Sequence, residues 1–232
     1  MTYDLKQAEI TFTAALRNGD EFAAQQVISE AQSAGVDSTA IYLKIFAPSM
    51  VTIGELWEQN ELSVAEEHLA TSITERLIGQ MSPSFSAQQA AGEPGRVVMG
   101  CVAGERHVLG LRMLADIFRK QGWRVLYLGA DVPNHDWTRL VARFNADLVA
   151  ISACAERHET QLTELIGDLR TANPLLEVLI GGGCFDRDQN LWRKVGATQH
   201  HPDALTAVTL ATARYARDTA RRNDSRALTP KI

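Results

Sequence analysis

Aromatic residues make up only 6% of this 232-residue chain, and it holds just three cysteines and seven prolines. Cys101, Cys154 and Cys184 cannot all pair and show no C-x-x-C spacing, so neither a disulfide framework nor a zinc knuckle is expected. Each falls at or just after a strand-like run, where a small buried hydrophobe is the ordinary role. No apolar run approaches the length of a membrane span, and Met1-Thr2-Tyr3-Asp4 lacks the basic and apolar regions of a signal peptide, which points to a cytoplasmic protein. Positive charge is in the minority, with 23 Lys and Arg against 28 Asp and Glu, and this argues against a broad nucleic-acid-binding face. The P-loop pattern is missing and no G-x-G-x-x-G follows the first strand-like run, so a nucleotide fingerprint is unsupported. What the chain does have is 45% hydrophobic residues, enough for the core of one large domain or two small ones.

The pattern changes character near residue 81. Before it, apolar residues recur at helical spacing over Asp4 to Arg17, Asp20 to Ala34, Ser38 to Gln59 and Val64 to Met81, which predicts a four-helix bundle over 1–81. Pro48 is expected to kink or divide the third helix, and Ser63 with Glu66 fits a capping box opening the fourth. Residues 82–95, with Pro83, Gly92, Pro94 and Gly95, read as a linker. From 96 to 220 the pattern alternates. Strand-like runs at Arg96 to Val102, Arg124 to Leu128, Asp147 to Ser152, Glu177 to Ile180 and near Thr198 to His200 are separated by helical blocks at Val108 to Gln121, Asp136 to Phe144 and Gln161 to Ala172, with a last helix from Pro202. This predicts an α/β, flavodoxin-like (Rossmann-like) domain with a five-stranded parallel sheet after the bundle. The polar tail 221–232 is expected to fray.

The segment Gly104-Glu105-Arg106-His107-Val108-Leu109-Gly110 joins the first strand-like run to an apolar helix. A histidine there stands at the carboxyl edge of the sheet, where open α/β folds bind ligands. Glu105 can accept the proton of the ring nitrogen facing away from the ligand, fixing tautomer and orientation. Gly110 leaves room over the helix start. Ser152 and Gly181-Gly182-Gly183 end the third and fourth runs and could open a slot beside this loop. Taken alone, E-x-H-x-x-G arises by chance, and a loop histidine more often caps or faces solvent. His135, His158, His200 and His201 default to solvent, although His158 follows the third strand closely enough to approach a ligand.

Together, Glu105-x-His107-x-x-Gly110, Ser152 and Gly181 to Gly183 resemble the cobalamin-binding module in which a histidine replaces the cofactor's own benzimidazole as lower cobalt ligand and the displaced nucleotide tail enters the sheet. Within Gly54-Glu55-Leu56-Trp57 and Ser63 to His68, Trp57 is followed after nine residues by Glu67-His68. This is similar to the W-x9-EH signature of CarH-type light-sensing cobalamin proteins and their photocobilin relatives. The run Leu111 to Pro133 is also similar, and the resemblance spans about residues 38 to 213.

The resemblance implies a helical cap over the upper face of the corrin, with Trp57 over the group bound to cobalt, and adenosylcobalamin as the favoured form. Cofactor contacts are then expected from Trp57, Glu67, His68, Glu105, Arg106, His107, Val108, Gly110, Ser152, Cys154, Gly181, Gly182, Gly183 and Phe185. His107 is the expected lower cobalt ligand. His68 either takes the upper position or only hydrogen-bonds the cofactor or a carbonyl. Glu58 stands where the light-sensing relatives carry a histidine, which sets a bis-histidine product through that position aside. The relatives' DNA-binding domain has no counterpart here, so output is expected through a transcription regulator, a signalling enzyme or a second copy of the chain. The expectation is a non-enzymatic light sensor or regulatory module, with a bilin as a second chromophore on the photocobilin pattern. The alternative is a corrinoid carrier for a methyltransferase system. Arg214, Arg217, Arg221, Arg222 and Arg226 could form a basic stripe for an acidic partner.

Overall fold

The computed structural model describes residues 3–85, 95–154, 158–188 and 190–227, the side chains of 186, 187 and 222–227 excepted. The chain divides into two compact units, Met1–Ser86 and Ala87–Ile232.

The first unit is helical, and short polar side chains start its helices. Asp4 accepts from Lys6 N and Gln7 N to open α1, Leu5–Arg17, which buries Ala8, Phe12, Ala15 and Leu16 along one face. Asp20 caps α2, Glu21–Ser33, whose Ala24, Val27, Ile28 and Ala31 face the core. The single third helix expected from Ser38 to Gln59 is interrupted. α3, Ser38–Ile41, passes through a π turn, Tyr42–Phe46, into α4, Ala47–Glu58. Pro48 has no N–H to give the preceding turn, and Ala47 N donates five residues back to Tyr42 O. The proline therefore widens one turn and does not end the helix.

α5, Val64–Met81, opens on the expected capping box, in which Ser63 N donates to Glu66 Oε2 at 2.7 Å and Glu66 N to Ser63 Oγ at 3.3 Å. Residues 82–85, expected in the linker, instead form a 3-10 turn that seats buried Phe85 against the Tyr42 ring, centroids 4.5 Å apart.

The second unit is a parallel sheet in the order β2-β1-β3-β4-β5. Its strands are β1, Arg96–Val102; β2, Arg124–Val132; β3, Leu148–Ser152; β4, Glu177–Gly181; and β5, Gln199–His200. The main crossover helices are α6, Leu109–Lys120; α7, Asn134–Phe144; and α8, Glu159–Ala172. The interiors of β1, β3 and β4 are buried, as expected where helices cover both faces, whereas the edge strand β2 is half-buried to exposed. Val98, Val149, Ile151, Val178 and Ile180 pack with Trp137, Leu162, Leu165 and Ile166 in one core.

Three boundaries differ from expectation. β2 continues past Leu128 because Gly129 and Asp131, both at positive φ, carry it through register shifts and let it pair to Val132. Short helices α9, Gly183–Arg187, and α10, Leu191–Lys194, fill the stretch after β4. The last helix, α11, runs Ala204–Ala227, so 221–227 continue it where a frayed tail was expected. The order places β1 beside β3, the switch point at whose carboxyl edge such sheets take ligands.

Candidate functional site

The loop between β1 and α6 stands at that edge and is tied down at both ends. Glu105 N donates to Val102 O at 2.9 Å, and Gly104 turns at φ +81°. From the end of β2, Asp131 Oδ1 accepts from Gly104 N at 2.7 Å while Asp131 N donates to Glu105 O at 2.9 Å. The bulged end of β2 therefore straps the loop, a role that the run Gly129 to Pro133 did not disclose by itself.

Glu105 is the hub of the site. Its side chain is 2% exposed. Oε1 accepts from His107 Nδ1 at 2.5 Å and from Arg106 N and His107 N at 2.8 Å each, and Oε2 accepts from Cys154 N at 2.6 Å. Burial works against the charge, but the hydrogen bonds from His107 and Cys154 hold the carboxyl down at about 2. Because a carboxylate only accepts, Nδ1 carries the proton and Nε2 is the ring nitrogen left for a ligand. The His107 side chain is 73% exposed. With Cys154 and Glu105 beside it, its protonated form persists up to about 10, so a metal at this ring must displace a proton. Cys101, buried and close to Glu105, has its thiol pushed up to about 12.

Around this hub the structure gathers Arg106, exposed, and Val108 and Cys154, both half-buried. Ser152 pairs with Gly181 at the β3–β4 edge. A Cβ on Gly110, Gly181 or Gly183 would meet nothing within 4 Å, so the helix start and this edge are open. Gly182 differs from its neighbours. At φ +123° its missing Cβ would lie 2.1 Å from Ala153 O, so close packing of β4 on β3 requires glycine there.

Two expectations are corrected. Phe185, expected to touch a cofactor, is 0% exposed, because α9 turns it into the core near the His200 ring. His158, expected at the surface, is buried with Nδ1 3.6 Å from Glu105 Oε2, an arrangement visible only once α8 packs against the β1 loop.

In the helical unit, Trp57 on α4 is 42% exposed, outside the bundle core. On α5, His68 Nδ1 donates to Glu67 Oε2 at 2.6 Å and Thr71 Oγ1 donates to Glu67 Oε1 at 2.9 Å. Val64, Glu67, His68 and Thr71 share one stripe of α5 by their spacing.

A family model described as a B12 binding domain matches residues 95–224, and a second with the same description matches 11–81. The chain is 33% identical over 141 residues to the HTH-type transcriptional repressor CarH of Myxococcus xanthus, a match covering 60% of this chain and 46% of the repressor. The chain thus spans less than half of that relative. It is 26% identical over 198 residues to a trimethylamine corrinoid protein of Methanosarcina barkeri, covering 84% of this chain and 90% of that protein. The solved monomethylamine corrinoid protein of Methanosarcina barkeri superposes with a TM-score of 0.79 at 18% identity over 90% of this chain and 98% of its own, a likeness of fold.

Proposed function

The chain belongs to the B12 binding domain family and is a cobalamin-binding module, and on that premise we propose that it is a light sensor with His107 as lower cobalt ligand, signalling to a partner or a second copy. The residues fit the group. His107 offers one nitrogen while Glu105 holds the other, and Gly110, Gly181 and Gly183, where an added Cβ would meet nothing within 4 Å, would face the macrocycle and its displaced nucleotide tail beside Ser152. When bound, adenosylcobalamin supplies a cobalt–carbon bond that light breaks.

The observation that carries the sensor reading is Trp57, a large apolar side chain left 42% exposed and separated by nine residues from half-buried Glu67 and exposed His68. Leaving an indole half in water forfeits about 25 cal/mol for each Å² of apolar surface left unburied, which a ligand covering that surface would recover. In this reading Trp57 excludes water from the upper side and confines the adenosyl group by packing. Glu67 orients His68, which stands ready as an upper ligand. Loss of the adenosyl group removes the contact that Trp57 made, and the helical unit then shifts or self-associates. That equilibrium moves only by the difference in affinity for the two arrangements. The protein so described senses and does not catalyse.

A second reading, a corrinoid carrier serving a methyltransferase, is favoured by the match along 90% of the trimethylamine corrinoid protein. The test is to load the protein with adenosylcobalamin in darkness and record its absorbance spectrum and gel-filtration volume before and after illumination. A light-driven change in both supports the sensor, and absorbance beyond that of the corrin reports a co-purified bilin. Identical behaviour in light and dark, with methyl transfer from bound methylcobalamin to a partner enzyme, selects the carrier.

A further inference from the structure

A thiol, Cys154, stands beside His107 and hydrogen-bonds its side chain. Ligand atoms of Glu105, His107 and Cys154 all lie within 4.8 Å of one another. Of the three cysteines, Cys101 and Cys184 are buried and Cys154 alone is half-exposed. Its position is built, because its backbone N–H is held at 2.6 Å by the same carboxylate that holds the His107 ring. One thiol, one imidazole and one carboxylate thus converge from two strand ends, β1 and β3, whose register is fixed by pairing of Cys101 with Ser152.

Zinc binds thiolate sulfur at about 2.3 Å and imidazole nitrogen or carboxylate oxygen at about 2.0–2.2 Å. Two donors on one ion therefore stand no more than about 4.5 Å apart, which small rotamer adjustments at Cys154 and His107 reach from the spacing seen. A Cys, His and carboxylate set with water in the fourth place suits a borderline-soft divalent ion and disfavours magnesium or calcium, which take oxygen.

We infer that Glu105, His107 through Nδ1, and Cys154 bind one thiophilic divalent metal ion, zinc in class, when cobalamin is absent. Coordination releases the thiol proton and a ring proton to solvent and involves no change of oxidation state. An ion on Nδ1 takes the place of the proton by which Glu105 orients the ring toward cobalt, so the ion and cobalamin exclude each other through that orientation, and free zinc weakens cofactor loading by mass action. That exclusion rests on the cobalamin reading, whereas the metal site itself does not.

The test uses the full chain freed of metal and cofactor. Zinc titration gives one ion per chain, and cobalt(II) in its place shows a thiolate-to-metal charge-transfer band. Cys154→Ser and His107→Ala each weaken zinc by at least ~10-fold, the scale of lost ligand-shell support, and Cys154→Ser abolishes the band. In the unmodified protein, zinc protects Cys154 from alkylation as read by mass spectrometry, which holds the test open should a variant misfold. Zinc binding to Cys154→Ser as tightly as to the parent, or no zinc-dependent protection of Cys154, overturns the site. Zinc binding equally well to cobalamin-loaded protein overturns the exclusion. If the parent takes up no cobalamin at all, the proposed function fails, and the zinc titrations, which contain none, still decide the metal site.

Discussion

Among the described residues two histidines hydrogen-bond a glutamate carboxylate through Nδ1, His107 to Glu105 at 2.5 Å and His68 to Glu67 at 2.6 Å, yet their surroundings are opposite. Glu105 is buried and accepts three backbone N–H groups as well, so its position is fixed whether or not a ligand is present. Glu67 is partly exposed, and its other recorded donor is a threonine one turn along the same helix. The first pair is preorganised and the second can be reset at small cost. A resident ligand needs the former, and a group whose environment changes with light needs the latter.

The largest effect should come from breaking the fixed pair. His107→Ala is expected to weaken cobalamin at least ~10-fold and to remove the histidine-on spectrum. Glu105→Ala should do comparable harm to binding. It should also lower stability by about 3 kcal/mol or more, because three N–H groups lose their acceptor at ~1–3 kcal/mol each where buried. Glu105→Gln should do less, since its amide oxygen still accepts. Denaturant unfolding and absorbance titration read both quantities. Next in size, Trp57→Ala should cost only about 1–2 kcal/mol, against the ~3–5 of a fully buried tryptophan. It should permit binding while weakening selectivity for adenosylcobalamin over methylcobalamin, which titration with both cofactors measures. His68→Ala should change dark affinity less than His107→Ala does and should alter the spectrum after illumination. An unaltered light spectrum would reduce His68 to a surface residue.

The smallest effect concerns the α5 cap. Hydrogen bonds from Ser63 hold Glu66 below the usual glutamate range in the folded chain. Its contribution is therefore present above the ordinary glutamate pKa and lost as pH falls through the depressed folded value. Glu66→Ala should lower the melting temperature slightly at neutral pH, and the gap from the parent should close in acid. A gap that stays constant with pH would break the assignment.

Much of this comparison was legible in the sequence, for a physical reason. E-x-H places the carboxylate and ring on one short loop, and W-x9-EH lies on helices whose periodicity is strong. What was hidden depends on long-range packing. The burial of His158 requires α8 to approach the β1 loop, and the strap by Asp131 requires two bulges in β2. Phe185 was expected at the cofactor from the family resemblance alone, whereas α9 starts at Gly183 and carries the ring into the core. Cys154 was read as a small buried hydrophobe and, from the resemblance, as a cofactor contact, and its approach to His107 appears only when β3 pairs with β1.

The central claim is that the nitrogen beneath cobalt belongs to His107. Electron paramagnetic resonance of the cobalt(II) form, in protein grown with ¹⁵N-histidine and loaded with unlabelled cobalamin, reads that nitrogen directly through its superhyperfine splitting. The account predicts that the triplet pattern of an axial ¹⁴N becomes the doublet of ¹⁵N on labelling and disappears in His107→Ala. A triplet unchanged by the label would place the cofactor's own base on cobalt and contradict the assignment.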